Sequence, residues 1–431
     1  MLSALKREAP LGATTNLVTI AGGGASGLLF ARALLERSSS VHVRIYEPNA
    51  LGVGTAYSTR CPSHILNVPA ERISAFQDAS DHFVNYLEQH HPGVYGRRSF
   101  APRRIFGEYL TSIANETLAR FASRFTHVRA RLHDVAEDVD TLVLATGNEL
   151  PVELPALRGA VQILNDPWNS AEIAMIPRDA DVVIVGSGLT AIDVLLDLRA
   201  NGHASKVRVV SRSGRLPHEH RTDSAIARAD TTSLRALLAS ARGAGRHWRT
   251  AIDGLRLNTN AIWQELSPRE REQFMRHLVP FWNIHRHRMA PEIAVLLAYE
   301  RANETLFLHR SALSASSAHG EFEGAVVINA TGSNQQLTRS RNTLLRMLCE
   351  RGFIVPGPFG MGVKVDPRGA VIDKRGIPST RLFALGPLRI GSLLETTAIP
   401  EIRQQAVTLA SFLLEGPLAK DAPPESESRI L

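Results

Sequence analysis

The pattern that most constrains this chain occurs twice: an apolar run, a cluster of glycines, then apolar residues at helical spacing. The first copy, LVTIAGGGASGLLFARALLE from Leu17 to Glu36, reads as strand, tight turn and helix. Gly22, Gly24 and Gly27 fit G-x-G-x-x-G. The first glycine permits the turn, the second admits a pyrophosphate to the backbone, and the third lets helix pack on strand. Ser26 lies in the same turn. The next apolar run, VHVRIYE, ends at Glu47, where an acidic side chain can bond an adenosine ribose. The second copy, VVIVGSGLTAIDVLLDLRANG from Val182 to Gly202, carries Gly186, Gly188 and Ala191, with Leu189 and Thr190 opening the helix. Its following strand ends in Ser211-Arg212-Ser213, where an NAD-selective site would carry an acid. A carboxylate there would repel a 2′-phosphate, whereas a hydroxyl and a guanidinium can bind it, so NADPH is favoured over NADH.

Two strands frame the second copy. TLVLATGNELP (Thr141 to Pro151) and AVVINATGSN (Ala325 to Asn334) both end in Ala-Thr-Gly, placing Thr146 and Gly147 in one turn. In two-dinucleotide flavoproteins such strands mark crossings between the FAD and NAD(P) domains. The expected fold class is α/β, with two Rossmann-like dinucleotide-binding domains and a helical extension. FAD would bind residues 1–165 and 310–431, and NADPH an inserted domain over 166–309 whose helical lobe starts near 231. SLRALLASAR and SPREREQFMRHL read as helices there, with Ser267 and Glu270 in capping-box form.

Composition narrows the class. The chain has 431 residues and 44% hydrophobic content, enough for two domains. Its two cysteines, Cys61 and Cys349, have no redox or metal spacing. With no apolar run of the ~20 residues a membrane span needs, a cytoplasmic location is expected. The net charge of +7 comes from 49 Lys+Arg against 42 Asp+Glu, but the basic residues are scattered. That favours anionic dinucleotides rather than nucleic acid. No metal site is expected, and the oligomeric state is not legible.

Beyond the fingerprints, several strings resemble the bacterial FAD-NAD(P)-binding family, whose members are similar in domain plan to flavin N-hydroxylases and other class B monooxygenases. They are NVPAERISAF (Asn67 to Phe76), FAPRRIFGEYL (Phe100 to Leu110), NDPWN (Asn165 to Asn169), SRSGRLPHEHR (Ser211 to Arg221), FWNIHRHRMAPEIA (Phe281 to Ala294) and LFALGPLRIGSLLETTAIPEIRQQA (Leu382 to Ala406). The resemblance implies that Asn67, Val68 and the stretch around Arg104 approach the flavin. It also implies that Ala384 to Gln405, including Gly386, closes the flavin pocket. AIPEIRQQA reads as a helix with Pro400 in its first turn, whose amides could stabilise negative charge on a reduced flavin. The F-x-G-x-x-x-H-x-x-x-W signature of Baeyer-Villiger enzymes is absent.

Candidate chemistry concentrates in FWNIHRHRMAPE. His285 and His287 could donate hydrogen bonds or titrate near neutrality, and Arg286 and Arg288 could hold an anionic substrate or NADPH phosphates. The alternative is that they only pack and solvate. His218 and His220 are candidates for nicotinamide-ribose contacts or for an ordinary surface loop. The expected function is an NADPH-reduced FAD oxidoreductase, foremost a monooxygenase using molecular oxygen on a nucleophilic nitrogen or sulfur of a small molecule. An NADPH-dependent reductase or oxidase without oxygen insertion, and a non-catalytic dinucleotide-binding protein, remain open.

Overall fold

The structure, a computed structural model, describes residues 16–134, 139–157, 162–221, 239, 243–256, 258–312 and 322–418. Apart from Ala239, SLRALLASAR lies outside them, as do the chain termini.

Two sheets carry the fold. The first has six strands in the order β10-β11-β4-β1-β2-β3, from β1 (Leu17–Ala21), β2 (His42–Tyr46), β3 (Phe125–Val128), β4 (Thr141–Leu144), β10 (Ala370–Ile372) and β11 (Pro378–Ala384). All its pairings are parallel except β10 with β11. The second has five parallel strands in the order β5-β9-β6-β7-β8, from β5 (Gln162–Leu164), β6 (Val182–Val185), β7 (Val207–Ser211), β8 (Leu306–Arg310) and β9 (Val326–Asn329). The chain leaves the first sheet after β4, builds the second and returns for β10 and β11. The second sheet begins at Gln162 and ends at Asn329, so its edge lies outside the boundaries at 165 and 310 that the sequence suggests.

Burial explains the strand sequences. β4 (TLVL), β6 (VVIV) and β9 (VVIN) are buried at every position, as parallel strands covered on both faces must be. Helix Ala25–Arg37 is buried along most of its length because it lies between the first sheet and helix Ile399–Glu415. Leu28, Phe30 and Leu34 from the one and Leu409, Ala410 and Leu413 from the other share the largest apolar core.

Among the described residues, five α-helices lie between β7 and β8: Trp248–Arg256, Thr259–Glu265, Pro268–His277, Val279–Arg286 and Pro291–Ala302. The expected capping box is present. Ser267 Oγ accepts from the Glu270 amide, and Glu270 accepts from the Ser267 amide at 3.0 Å. Pro291 opens a new helix, where its missing N–H costs nothing. Trp263, Leu266 and Phe274 form the lobe's own small core.

Three buried or half-buried polar contacts tie the two sheet-bearing units together. Arg103 Nη1 lies 2.5 Å from Asp193 Oδ2, and His64 Nε2 donates to the Asp193 carbonyl at 2.8 Å. A third runs from His220 Nε2 to the Asn67 carbonyl, also 2.8 Å. No described helix is long and apolar enough to cross a membrane.

Candidate dinucleotide and lobe site

Both glycine turns stand at the carboxyl ends of their sheets and are built alike. Gly22 has φ +107, and a Cβ there would stand 2.3 Å from the Ala145 carbonyl oxygen. Gly186 has φ +113, and a Cβ there would stand 2.2 Å from the Ala330 carbonyl oxygen. Each first glycine therefore yields its Cβ space to the Ala-Thr-Gly turn of the adjoining strand. The second glycines face open space. A Cβ on Gly24 would meet only Gly54, at 3.5 Å and beyond, and one on Gly188 would meet nothing within 4 Å. Both are helix N-caps with no side-chain capping bond, so the first-turn amides are free to receive an anion. These cradles, with the buried, unpartnered Thr146 Oγ1, fit two dinucleotide pyrophosphates.

The remaining first-site residues gather nearby. Glu47 directly follows β2, and its Oε2 accepts from the Gly23 amide at 3.0 Å, which holds the carboxylate against the turn. Gly386 packs over the start of helix Ala25–Arg37, where a Cβ would stand 2.5 Å from Ser26 Oγ. Its amide donates to Gln405 Oε1 at 3.0 Å. Pro400 lies in the first turn of helix Ile399–Glu415. Arg104 departs from expectation: it is exposed and paired with Glu108 at 3.1 Å, one helical turn on. Its neighbour Arg103 turns inward instead, which the string FAPRRIF cannot distinguish because the partner Asp193 is 90 residues away.

At the second site, Leu189 and Thr190 form the first turn after the Gly188 cap. Ser211 Oγ accepts from the Gly214 amide at 3.0 Å, closing a turn that presents Arg212 to solvent. The sequence reading missed Arg310. It ends β8 in register with Ser211, so a second exposed guanidinium stands beside the turn. Only strand pairing reveals it.

A cleft lies between the turns that follow β4 and β9. It is lined by Gly147, Asn148, Glu149, Asn334, Gln335 and Gln336, with Pro387, Leu388 and Thr397 across from them.

The lobe residues are less free than expected. Arg286 is buried and donates to Glu395 Oε2 at 3.1 Å, while Trp282 Nε1 donates to Glu395 Oε1 at 3.1 Å. Arg288 is buried against Asp253. His285 donates from Nδ1 to the Phe281 carbonyl at 2.7 Å and packs beside His218 and Trp248. His287 is lowered to about 4, first by burial and then by Arg286 and Arg256 against an opposing pull from Glu395. Arg286 and Arg288 are thus committed to ion pairs that anchor the lobe, because a buried guanidinium without a carboxylate would be far costlier. Among the described residues, no group of three His, Cys, Asp or Glu could hold a metal ion.

His220 is also interior. Burial, then the Arg288 charge, drives it from 6.5 to about 3, so the imidazole stays neutral and donates to Asn67. A base whose folded value is depressed adds its full stability above pH 6.5 and loses it as pH falls toward 3. Between pH 7.5 and 5.0 the protein should lose about 1–2 kcal/mol through this group. Urea denaturation at both pH values, with wild type and His220→Gln, checks this: the variant should show a smaller difference between them.

Residues 19–156 match the FAD-NAD(P)-binding family. At the level of sequence, no curated protein matches. Solved structures do. The reduced form of an ornithine hydroxylase from Pseudomonas aeruginosa superposes with TM-score 0.55 at 17% identity, covering 94% of this chain and 99% of that one. An L-lysine 6-monooxygenase from Pseudomonas syringae gives 0.58 at 14%, covering 93% and 99%. The FAD-bound cadaverine monooxygenase of desferrioxamine biosynthesis from Erwinia amylovora gives 0.57 at 14%, covering 97% and 98%. The chain is similar to these in fold over nearly its whole length, and the resemblance seen in its motifs holds.

Proposed function

We propose that the protein is an FAD-dependent monooxygenase reduced by NADPH, acting on a nucleophilic nitrogen or sulfur of a small molecule. The observation that carries this reading is the doubled cradle: two uncapped helix N-termini, each behind a first glycine seated on an Ala-Thr-Gly turn. FAD belongs to the first, within the segment that matches the FAD-NAD(P)-binding family. That unit is discontinuous, comprising β1 to β4 with β10 and β11. NADPH belongs to the inserted unit of β5 to β9. The similar structures, an ornithine hydroxylase, a lysine monooxygenase and a cadaverine monooxygenase, support nitrogen as the atom oxidised.

When bound, the flavin supplies hydride acceptance and oxygen chemistry. The chain's own residues bind, orient and exclude water. The amides after Gly24 and Gly188 receive pyrophosphates, Glu47 is placed for the adenosine ribose, and helix Ile399–Glu415 aims its N-terminus at developing negative charge. The lobe roofs the site. Asn260 exchanges two bonds with the Glu395 backbone, at 2.7 and 2.9 Å, and Trp263 Nε1 donates to the Gly391 carbonyl at 3.0 Å. Such a roof keeps bulk water from the reacting atoms.

Oxygen uptake by the FAD-loaded protein with NADPH and candidate amines tests the reading. Uptake matched by hydroxylated product supports it. Uptake matched by hydrogen peroxide, with every amine unchanged, would make the protein an oxidase or reductase. FAD retention without NADPH oxidation would make it a dinucleotide-binding protein.

Cofactor choice gives a narrower expectation. Replacing Arg212 with Ala should weaken NADPH use about 10-fold or more, the worth of one charged contact to a phosphate, and leave NADH almost untouched. Stopped-flow flavin reduction by each nucleotide decides it. An equal loss with both would mean that Arg212 serves the turn rather than the 2′-phosphate.

A further inference from the structure

Charge is unbalanced where the lobe meets the first turn of helix Ile399–Glu415. Arg286 Nη2 lies 3.1 Å from Glu395 Oε2 and 3.9 Å from Glu401 Oε1, and Arg288 is paired with Asp253. Among the described residues Arg256 has one ion-pair partner, Glu401, with Nε 3.9 Å from Oε1, too far for a hydrogen bond. Arg72 has no ion-pair partner among the described residues and stands within electrostatic reach of Arg256 and His220. Among the described residues, four guanidiniums therefore face three carboxylates, Asp253, Glu395 and Glu401, which leaves one positive charge over. Arg403 nearby, satisfied by the Ser74 and Phe76 carbonyls at 2.7 and 3.1 Å, only adds to it. His220 and His287, held neutral here, contribute no charge. Arg256 itself is lowered to about 10, by burial first and by Arg286 next.

Arg72 is half-buried, but the Arg256 side chain is only 16% exposed and has no hydrogen-bonded carboxylate, and a charge so incompletely paired at that depth is costly unless a ligand completes it. Arg286 Nε and Arg288 Nε, on side chains 93% and 97% buried, are further donors without acceptors in the same network, against one bare acceptor, Glu401 Oε2. We propose that Arg72 and Arg256 receive a carboxylate of the small-molecule substrate. A carboxylate accepts two parallel N–H bonds from a guanidinium, which a substrate amine cannot do. The proposal rests on the flavin site described above, because it places the substrate beneath the same roof.

Isothermal titration of the full-length protein with glutarate, 5-aminopentanoate and cadaverine separates charge from length, since all three have five carbons. Glutarate and 5-aminopentanoate should bind and cadaverine should not. Arg72→Gln and Arg256→Gln should each weaken glutarate about 10- to 100-fold, and Arg256→Lys should recover part of the loss. The Arg72 variant keeps the test open if the more buried Arg256 proves necessary for folding. Cadaverine binding as tightly as glutarate, or glutarate affinity unchanged in both Gln variants, would overturn the proposal. A third contrary result is an altered flavin midpoint potential in Arg256→Gln with glutarate affinity intact, which would assign the surplus charge to the flavin. The titration stands whatever the flavin content. Protein that binds glutarate but retains no FAD refutes the cofactor reading and not the carboxylate site.

Discussion

A Gly24→Asp variant should purify folded but colourless. The added Cβ meets only Gly54, at 3.5 Å, so the polypeptide tolerates it. The carboxylate, however, fills the space and potential at an uncapped helix N-terminus that a pyrophosphate would occupy. Losing two charge-assisted bonds at roughly 1.5–3 kcal/mol each weakens FAD binding by more than about 100-fold. Gly188→Asp is the matched control, because its Cβ meets nothing within 4 Å. It should stay yellow and fail to be bleached by NADPH. Absorbance at the flavin band, before and after anaerobic NADPH, reads both. If Gly188→Asp lost its FAD while circular dichroism showed an intact fold, the two sites would have been assigned the wrong way round.

The third glycine of the first turn should fail differently. A Cβ on Gly27 would stand 2.0 Å from the Gly22 carbonyl oxygen and 3.3 Å from Ile20 Cγ2, so Gly27→Ala must push helix Ala25–Arg37 off β1. That helix supplies much of the largest core, and helix Ile399–Glu415 packs on it. The expected cost is about 3 kcal/mol or more, seen as a large fall in the urea midpoint or as insoluble protein. Gly24→Ala should cost under about 1 kcal/mol. Equal midpoints for the two alanine variants would show that the turn is looser than its geometry indicates.

These contrasts show what local sequence carries. Glycine spacing, strand hydrophobicity and the Ser267 capping box are short-range signals, and the structure realises each where the sequence places it. Residue partnership is not short-range. Arg286 with Glu395 spans 109 positions, and Arg103 with Asp193 spans 90. Nothing in FWNIHRHR or FAPRRIF says which arginine turns inward, because the deciding carboxylate lies on an element whose approach depends on the whole fold. The strand boundaries obey the same logic. Gln162–Leu164 is only three residues long, and its place in the second sheet is evident from its pairing with β9 rather than from its composition.

The bonds from Arg103 and His64 to Asp193, and from His220 to Asn67, also bear on motion. A hinge that swung one sheet away from the other would have to break a charge-assisted contact worth roughly 1.5–3 kcal/mol and leave buried donors bare. Large rigid-body rotation is therefore disfavoured between hydride delivery and substrate turnover. Loops and side chains, rather than a swinging domain, should then supply most of the movement that lets the nicotinamide come and go.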